Sequence, residues 1–207
     1  MRTLFDLEVN GCVSRTVRDT AAWLDMSEIK AMDALHRPVG FVADASDARL
    51  KIAVNPKIMR TGAYPPDSVM QVFESAITML CQLGHQVKTG VLPFDGADAT
   101  EAIRRFSEAR FARKLAETAQ LTGIPISVDN LEPRSADLVE QGWLRSDDDV
   151  ARASDVLGNA AAAYLAQFDH VDIYMTPVFG DEIAEIGSFS PQGSWVEQRD
   201  RIVDYEI

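Results

Sequence analysis

The spacing of apolar residues along this chain changes period several times, and each change predicts an element. Thr16-Val17-Arg18-Asp19 opens the first, because a threonine hydroxyl can accept a free amide of the first helical turn and an acid follows three residues on. Val17, Ala21 and Leu24 then share one helical face. A looser stretch rich in Ala and Asp runs from Ala43 to Ala48. In Leu50-Lys51-Ile52-Ala53-Val54 apolar and small or polar positions alternate, as in a strand, and Asn55-Pro56 ends it. Pro65-Pro66-Asp67 opens an amphipathic helix whose stripe is Val69, Phe73, Ile77, Leu80 and Leu83, with Gly84 in the C-cap position. His85-Gln86-Val87-Lys88 leads into a second short strand. If the two strands are parallel, the helix between them must make a right-handed crossover.

Farther on, Ala102, Phe106, Ala109, Ala112, Ala116 and Ala119 recur at near-helical spacing and predict a long helix ending near Gly123. Its small residues imply close packing against a neighbour. Ser146-Asp147-Asp148-Asp149 is a capping-box pattern with acids where the helix dipole favours them. Val150, Leu157, Ala161, Leu165 and Phe168 continue that helix, and Val171-Asp172-Ile173-Tyr174-Met175 reads as a strand stopped at Pro177. The organisation is α/β. No repeat, low-complexity stretch or Gly/Ser linker divides the 207 residues, so a single domain over 1–207 is expected.

Composition narrows the class of partner. A hydrophobic fraction of 46% with 25% charged residues is that of an ordinary globular chain. The net charge of −12 and pI near 4.6 argue against a nucleic-acid or membrane-surface role, since phosphate binding needs clustered Lys and Arg. Cys12 and Cys81 are far apart, with no ligand neighbours at metal-site spacing, which suits a reduced protein. Neither an apolar leader after Met1 nor a membrane-length apolar run is visible, so the cytoplasm is the expected location.

Serine hydrolases need an activated hydroxyl and oxyanion donors, yet the chain contains no Gly-x-Ser-x-Gly motif and no adjacent glycine pair. A Gly-Gly-Ser-Ser-Gly-Gly nucleophile loop is therefore absent from it. There is likewise no phosphate-cradling glycine loop and no His-Glu-x-x-His motif. His36, His85 and His170 are each solitary. His85 follows a helix C-terminus, where the dipole favours an imidazolium, and His170 sits in a turn between Asp169 and Asp172. Ser14 and Arg15 beside Cys12 have a mildly catalytic look that a helix-entry loop explains equally well.

Several segments, in order, resemble the amidase-signature family. Gly11-Cys12-Val13-Ser14-Arg15-Thr16-Val17-Arg18-Asp19-Thr20-Ala21-Ala22-Trp23-Leu24-Asp25 is similar to the Gly-Pro-x-x-Arg-Ser/Thr-Val-x-Asp-x-Ala-x-x-Leu-Asp segment that follows that family's catalytic core. The similarity continues through Leu50–Val54, the helix from Asp67, Leu83-Gly84-His85-Gln86-Val87 and Leu92-Pro93. It reaches Phe168-Asp169-His170-Val171-Asp172-Ile173-Tyr174-Met175-Thr176-Pro177, which looks like the family's Tyr-Asp-x-Leu-Leu-Thr-Pro strand. The run Leu7 to Arg15 is similar to the subset related to 6-aminohexanoate cyclic dimer hydrolase.

The resemblance implies a mixed twisted sheet flanked by helices, and hydrolysis of an amide carbon–nitrogen bond with no metal or organic cofactor. It implies a Lys and a bridging Ser that activate a second Ser, with backbone amides holding the oxyanion. None of these three matches a residue of this chain, so no catalytic residue is assigned. The chain is expected to be an internal slice, since the family continues past the Thr-Pro loop into an Asn-x-x-Gly-x-Pro motif. In the family that loop walls the acyl side of the substrate channel, which nominates Thr176, Pro177, Val178 and Phe179 as substrate-binding residues; a strand simply ended by Pro177 is the alternative.

Three functional readings follow. In the first, the chain is an amidase-family segment without activity of its own, meeting a small-molecule amide only when the core completes it. In the second it is a binding half that complements a separately encoded N-terminal half. The third is an unrelated hydrolase built from Ser14, His85 and an acid. A slice of a domain should also bury less apolar surface than a whole one and depend on self-association for stability.

Overall fold

The computed structural model describes residues 11–28, 37–127 and 129–205. The chain divides into two units, 1–48 and 49–207. The segment Leu7 to Asn10 and His36 lie outside the described residues.

In the first unit, α1 (Val17–Ser27) begins as the cap predicts, with the Thr16 hydroxyl accepting the Asp19 amide at 3.1 Å. Its apolar stripe does not enter a core. No residue of α1 is buried, and Val17 and Leu24 instead line a hollow of about 770 Å³ together with Val39 and Val42. Glu28 closes the far side by accepting the amides of Val39 and Gly40.

The second unit is built on a parallel three-stranded sheet, β1 (Lys51–Val54), β2 (Gln86–Thr89) and β3 (Ile173–Met175), in the order β2-β1-β3. Central β1 is the most buried because it is covered on both edges and both faces, as parallel strands must be. Ile52 and Val54 point to one side, where α2 (Asp67–Gln82) lays Phe73, Met70, Ile77 and Leu80 against them. Leu83 of the expected stripe is exposed. It is the C-cap itself, and Gly84 follows it at φ 86°. The amides of Gly84 and His85 return to the carbonyls of Cys81 and Leu80, a Schellman ending that needs the left-handed glycine.

On the other side of the sheet, Ala53 and its register partner Tyr174 share a face, and Tyr174 meets Tyr164 edge-on at 5.4 Å. Tyr164 belongs to α5 (Asp147–Ala166), which with α3 (Gly96–Thr122) and α4 (Pro133–Trp143) makes a helical layer. α3 ends at Gly123, φ 72°, where the Ala spacing predicts. α5 carries the full capping box between Ser146 and Asp149. Its buried face is Ala153, Leu157 and Ala160, so Ala161 and Leu165 of the predicted stripe face outward and Phe168 lies in the short 3-10 turn after the helix. α4 and α6 (Trp195–Tyr205) have no counterpart in the apolar pattern read above.

The centre of that layer holds a carboxylate. Glu108 of α3 is fully buried and accepts from Arg104, from Arg145 after α4, and from the Trp195 indole at 3.0 Å. A buried charge persists only when its lone pairs are filled in this way. Gly142 of α4 lies over the same turn: a Cβ there would overlap the Glu108 carbonyl and stand 2.6 Å from Ala112 Cβ. The small residues of α3 thus meet a small residue on α4.

Candidate functional site

In open α/β sheets ligands gather beyond the carboxyl ends of the strands. At the carboxyl end of β3 the chain turns at Pro177, which is buried, and runs past the N-terminal half of α2. The two segments enclose an open hollow of about 460 Å³. Its α2 side is Ser68, Val69, Val72, Phe73 and Ala76, and its loop side includes Thr176, Pro177, Val178 and Phe179. All four nominated residues therefore lie on one surface, with Val178 78% exposed and Phe179 38%.

The wall is held from behind by α6. The Tyr205 ring stacks on Phe179 at 4.7 Å, the Tyr205 carbonyl accepts the Gly180 amide at 2.8 Å, and the Tyr205 hydroxyl accepts the Ala184 amide at 3.0 Å. One residue before it, Asp204 accepts from Nε and Nη2 of Arg60, a bidentate pair along one guanidinium edge. The Asp204 hydrogen bond holds Arg60 above the usual guanidinium range against the opposing pull of burial. At the other end of α6 the Trp195 indole reaches Glu108. Apolar periodicity does not reveal this support, because Tyr205, Asp204 and Trp195 act through rings and hydrogen bonds.

Polar groups reach the hollow from its rim. Asp181 and Glu182 line it, and Glu182 accepts from the Ser68 hydroxyl at 2.6 Å. Among the described residues lining it none is a Lys, Arg, His or Cys, and the hydroxyls are those of Ser68 and Thr176.

The other sequence candidates are engaged elsewhere. Ser14 Oγ shares a hydrogen bond of 2.7 Å with Thr20 Oγ1 and also bonds the Thr16 carbonyl, as a helix-entry residue does. His85 Nδ1 accepts the Leu50 amide at 3.2 Å, so the ring joins the end of α2 to the start of β1. His170 caps the 3-10 turn and is exposed, while Asp172 accepts the Lys51 amide at 2.7 Å. Cys12 and Cys81 are free and exposed. Among the described residues no three His, Cys, Asp or Glu side chains come together as a metal site, and no helix is long and apolar enough to cross a membrane.

No family model and no curated protein sequence matches this chain. Two solved structures do: 6-aminohexanoate cyclic dimer hydrolase, and the same enzyme complexed with substrate, each at a TM-score of 0.68 and 19% identity. The fold is that of a segment of this hydrolase. The match covers 84% of the present chain and 38% of the solved one, so the chain spans well under half the length of the enzyme it matches. At this identity the likeness carries the fold, an α/β arrangement.

Proposed function

We propose that this chain forms one wall of the substrate channel of an amidase-type hydrolase, binding the acyl side of an amide while the nucleophile comes from a segment with the family's Lys-Ser-Ser pattern. The observation that carries this reading is the clustering of Thr176, Pro177, Val178 and Phe179 on one apolar hollow at the carboxyl end of a parallel strand. The absence of any adjacent glycine pair in the sequence supports the division of labour. The purified 207-residue chain should turn over no simple aryl amide. Measurable hydrolysis, abolished by a serine-directed inhibitor, would overturn the proposal.

A second reading, that the chain docks with a complementary half, is favoured by the position of β3 at the end of the sheet order. An end strand presents unpaired amides and carbonyls that template a further strand. Co-expression with a segment bearing the Lys-Ser-Ser pattern should yield a one-to-one complex. Failure to co-purify removes this reading and leaves the first to stand on the hollow.

A further inference from the structure

Resting on the reading of the hollow as a substrate wall, we propose that α6 is a strap that opens from its Tyr205 end, carries residues 178–188 with it as one unit, and so admits or releases what the wall binds. The two ends of α6 are held by different means. At its start the Trp195 amide donates to Asp137 at 3.1 Å and the indole donates to the fully buried Glu108. At its end Asp204 holds Arg60 where solvent still reaches both side chains, 29% and 33% exposed. Between these anchors no residue of the helix is buried. A segment with so little apolar surface removed from water opens locally at a cost well below that of global unfolding, and the end without a buried anchor opens first.

The loop side of the hollow has the same character. It is fixed before by the buried Pro177 and after by Arg134, whose amide donates to the Pro191 carbonyl and whose guanidinium donates to the Phe189 carbonyl. Between those points Val178, Ile183 and Ile186 are exposed. Three of the contacts that hold this stretch inward come from the one residue Tyr205: its ring lies on Phe179, its carbonyl accepts the Gly180 amide and its hydroxyl accepts the Ala184 amide. A fourth joins the exposed Ser68 and Glu182 side chains. Contacts made by a single residue are lost together when it leaves, so release of Tyr205 withdraws Val178 and Phe179 at once. The opposite side of the hollow stays, because Phe73 of α2 is buried in the sheet core with Ile52 and Val54.

Amide hydrogen exchange of the full chain tests the strap with no ligand present, so its failure leaves the wall reading intact, whereas that reading falls on turnover of an aryl amide. The Gly180 and Ala184 amides should share one opening constant, at least about ten-fold larger than that of Ala109 and Ala112 in α3, with Phe73 at the lower level. Arg60→Met should enlarge the shared constant at least about five-fold, the scale of one charge-assisted contact near the surface. Tyr205→Phe keeps the ring and the carbonyl and removes only the bond to Ala184, yet it should raise exchange of Gly180 and Ala184 by the same factor. Exchange of Gly180 and Ala184 as slow as that of Ala109 and Ala112, an Arg60→Met chain in which neither is faster, or a Tyr205→Phe chain in which Ala184 alone is faster, overturns the strap.

Discussion

Ile52, Val54 and Phe73 close one side of the sheet with methyl and ring surface, whereas α3 meets its neighbours through Ala99, Ala102, Ala109 and Ala112, with the Glu108 carboxylate in their midst. The first layer gains its stability from apolar area removed from water, a quantity that diminishes in steps as groups are trimmed. The second gains it from close approach and from a filled set of hydrogen bonds around one charge. Such a set does not degrade gradually, because losing any member leaves another buried and unpaired. The same contrast reaches the hollow, whose α2 side belongs to the first layer and whose loop side is held by α6, anchored on Glu108 through Trp195.

Substitutions ordered by size of effect can break this contrast. Glu108→Ala should cost about 3–5 kcal/mol in urea denaturation, since it takes the carboxylate partner from Arg145 and the Trp195 indole inside the layer and leaves Arg104 with Glu101 alone. A loss below about 1 kcal/mol would place the layer among area-dominated cores. Ile52→Val, which trims one methylene from the sheet core, should cost about 1 kcal/mol by the same measurement. A collapse of cooperativity there would show that the sheet layer is as unforgiving as the helical one.

Two surface contacts sharpen the comparison by showing where the sensitivity of the helical layer stops. Ser146→Ala removes the α5 cap and should cost about 1 kcal/mol. It should also release Asp149, whose carboxyl sits at about 2 rather than the ordinary 3.8 because the Ser146 hydroxyl and amide, and then Arg152, donate to it. A depressed carboxyl adds stability above its ordinary value and loses it as pH falls, here between about 4 and about 2. An NMR titration of the Asp149 carboxyl should therefore move upward in the variant. Smallest of all, Arg113→Ala breaks an ion pair to the 95% exposed Asp147 and should change stability by less than about 0.5 kcal/mol.

What could be read in advance follows the range of the interactions. Caps at Thr16 and Ser146, the left-handed ends at Gly84 and Gly123, and the strand at β1 all depend on neighbours within a few residues, and each appears where the sequence places it, although β1 is buried on both faces instead of alternating. α4 escaped because its signals are weak, a Pro at its first turn and a Gly in its last, and neither makes an apolar stripe. α6 escaped because its contacts run through Trp195, Asp204 and Tyr205 to residues far away in sequence. Thr176 to Phe179 came from a resemblance, and their shared surface with Val69 and Val72 came from folding.

The sequence by itself determined the α/β order, the capped starts of α1 and α5, the glycine ends of α2 and α3 and the lack of an acyl-transfer motif, since these rest on local sterics, hydrogen bonding and residue identity. Tertiary structure alone decided that Glu108, which by type reads as a solvated helical charge, is the buried centre of a layer, and that the stripe of α1 stays uncovered within its unit. It also decided which carboxylates rim the hollow. Burial and electrostatic partnership are properties of what packs against a residue, and the residues concerned here are up to 144 positions apart.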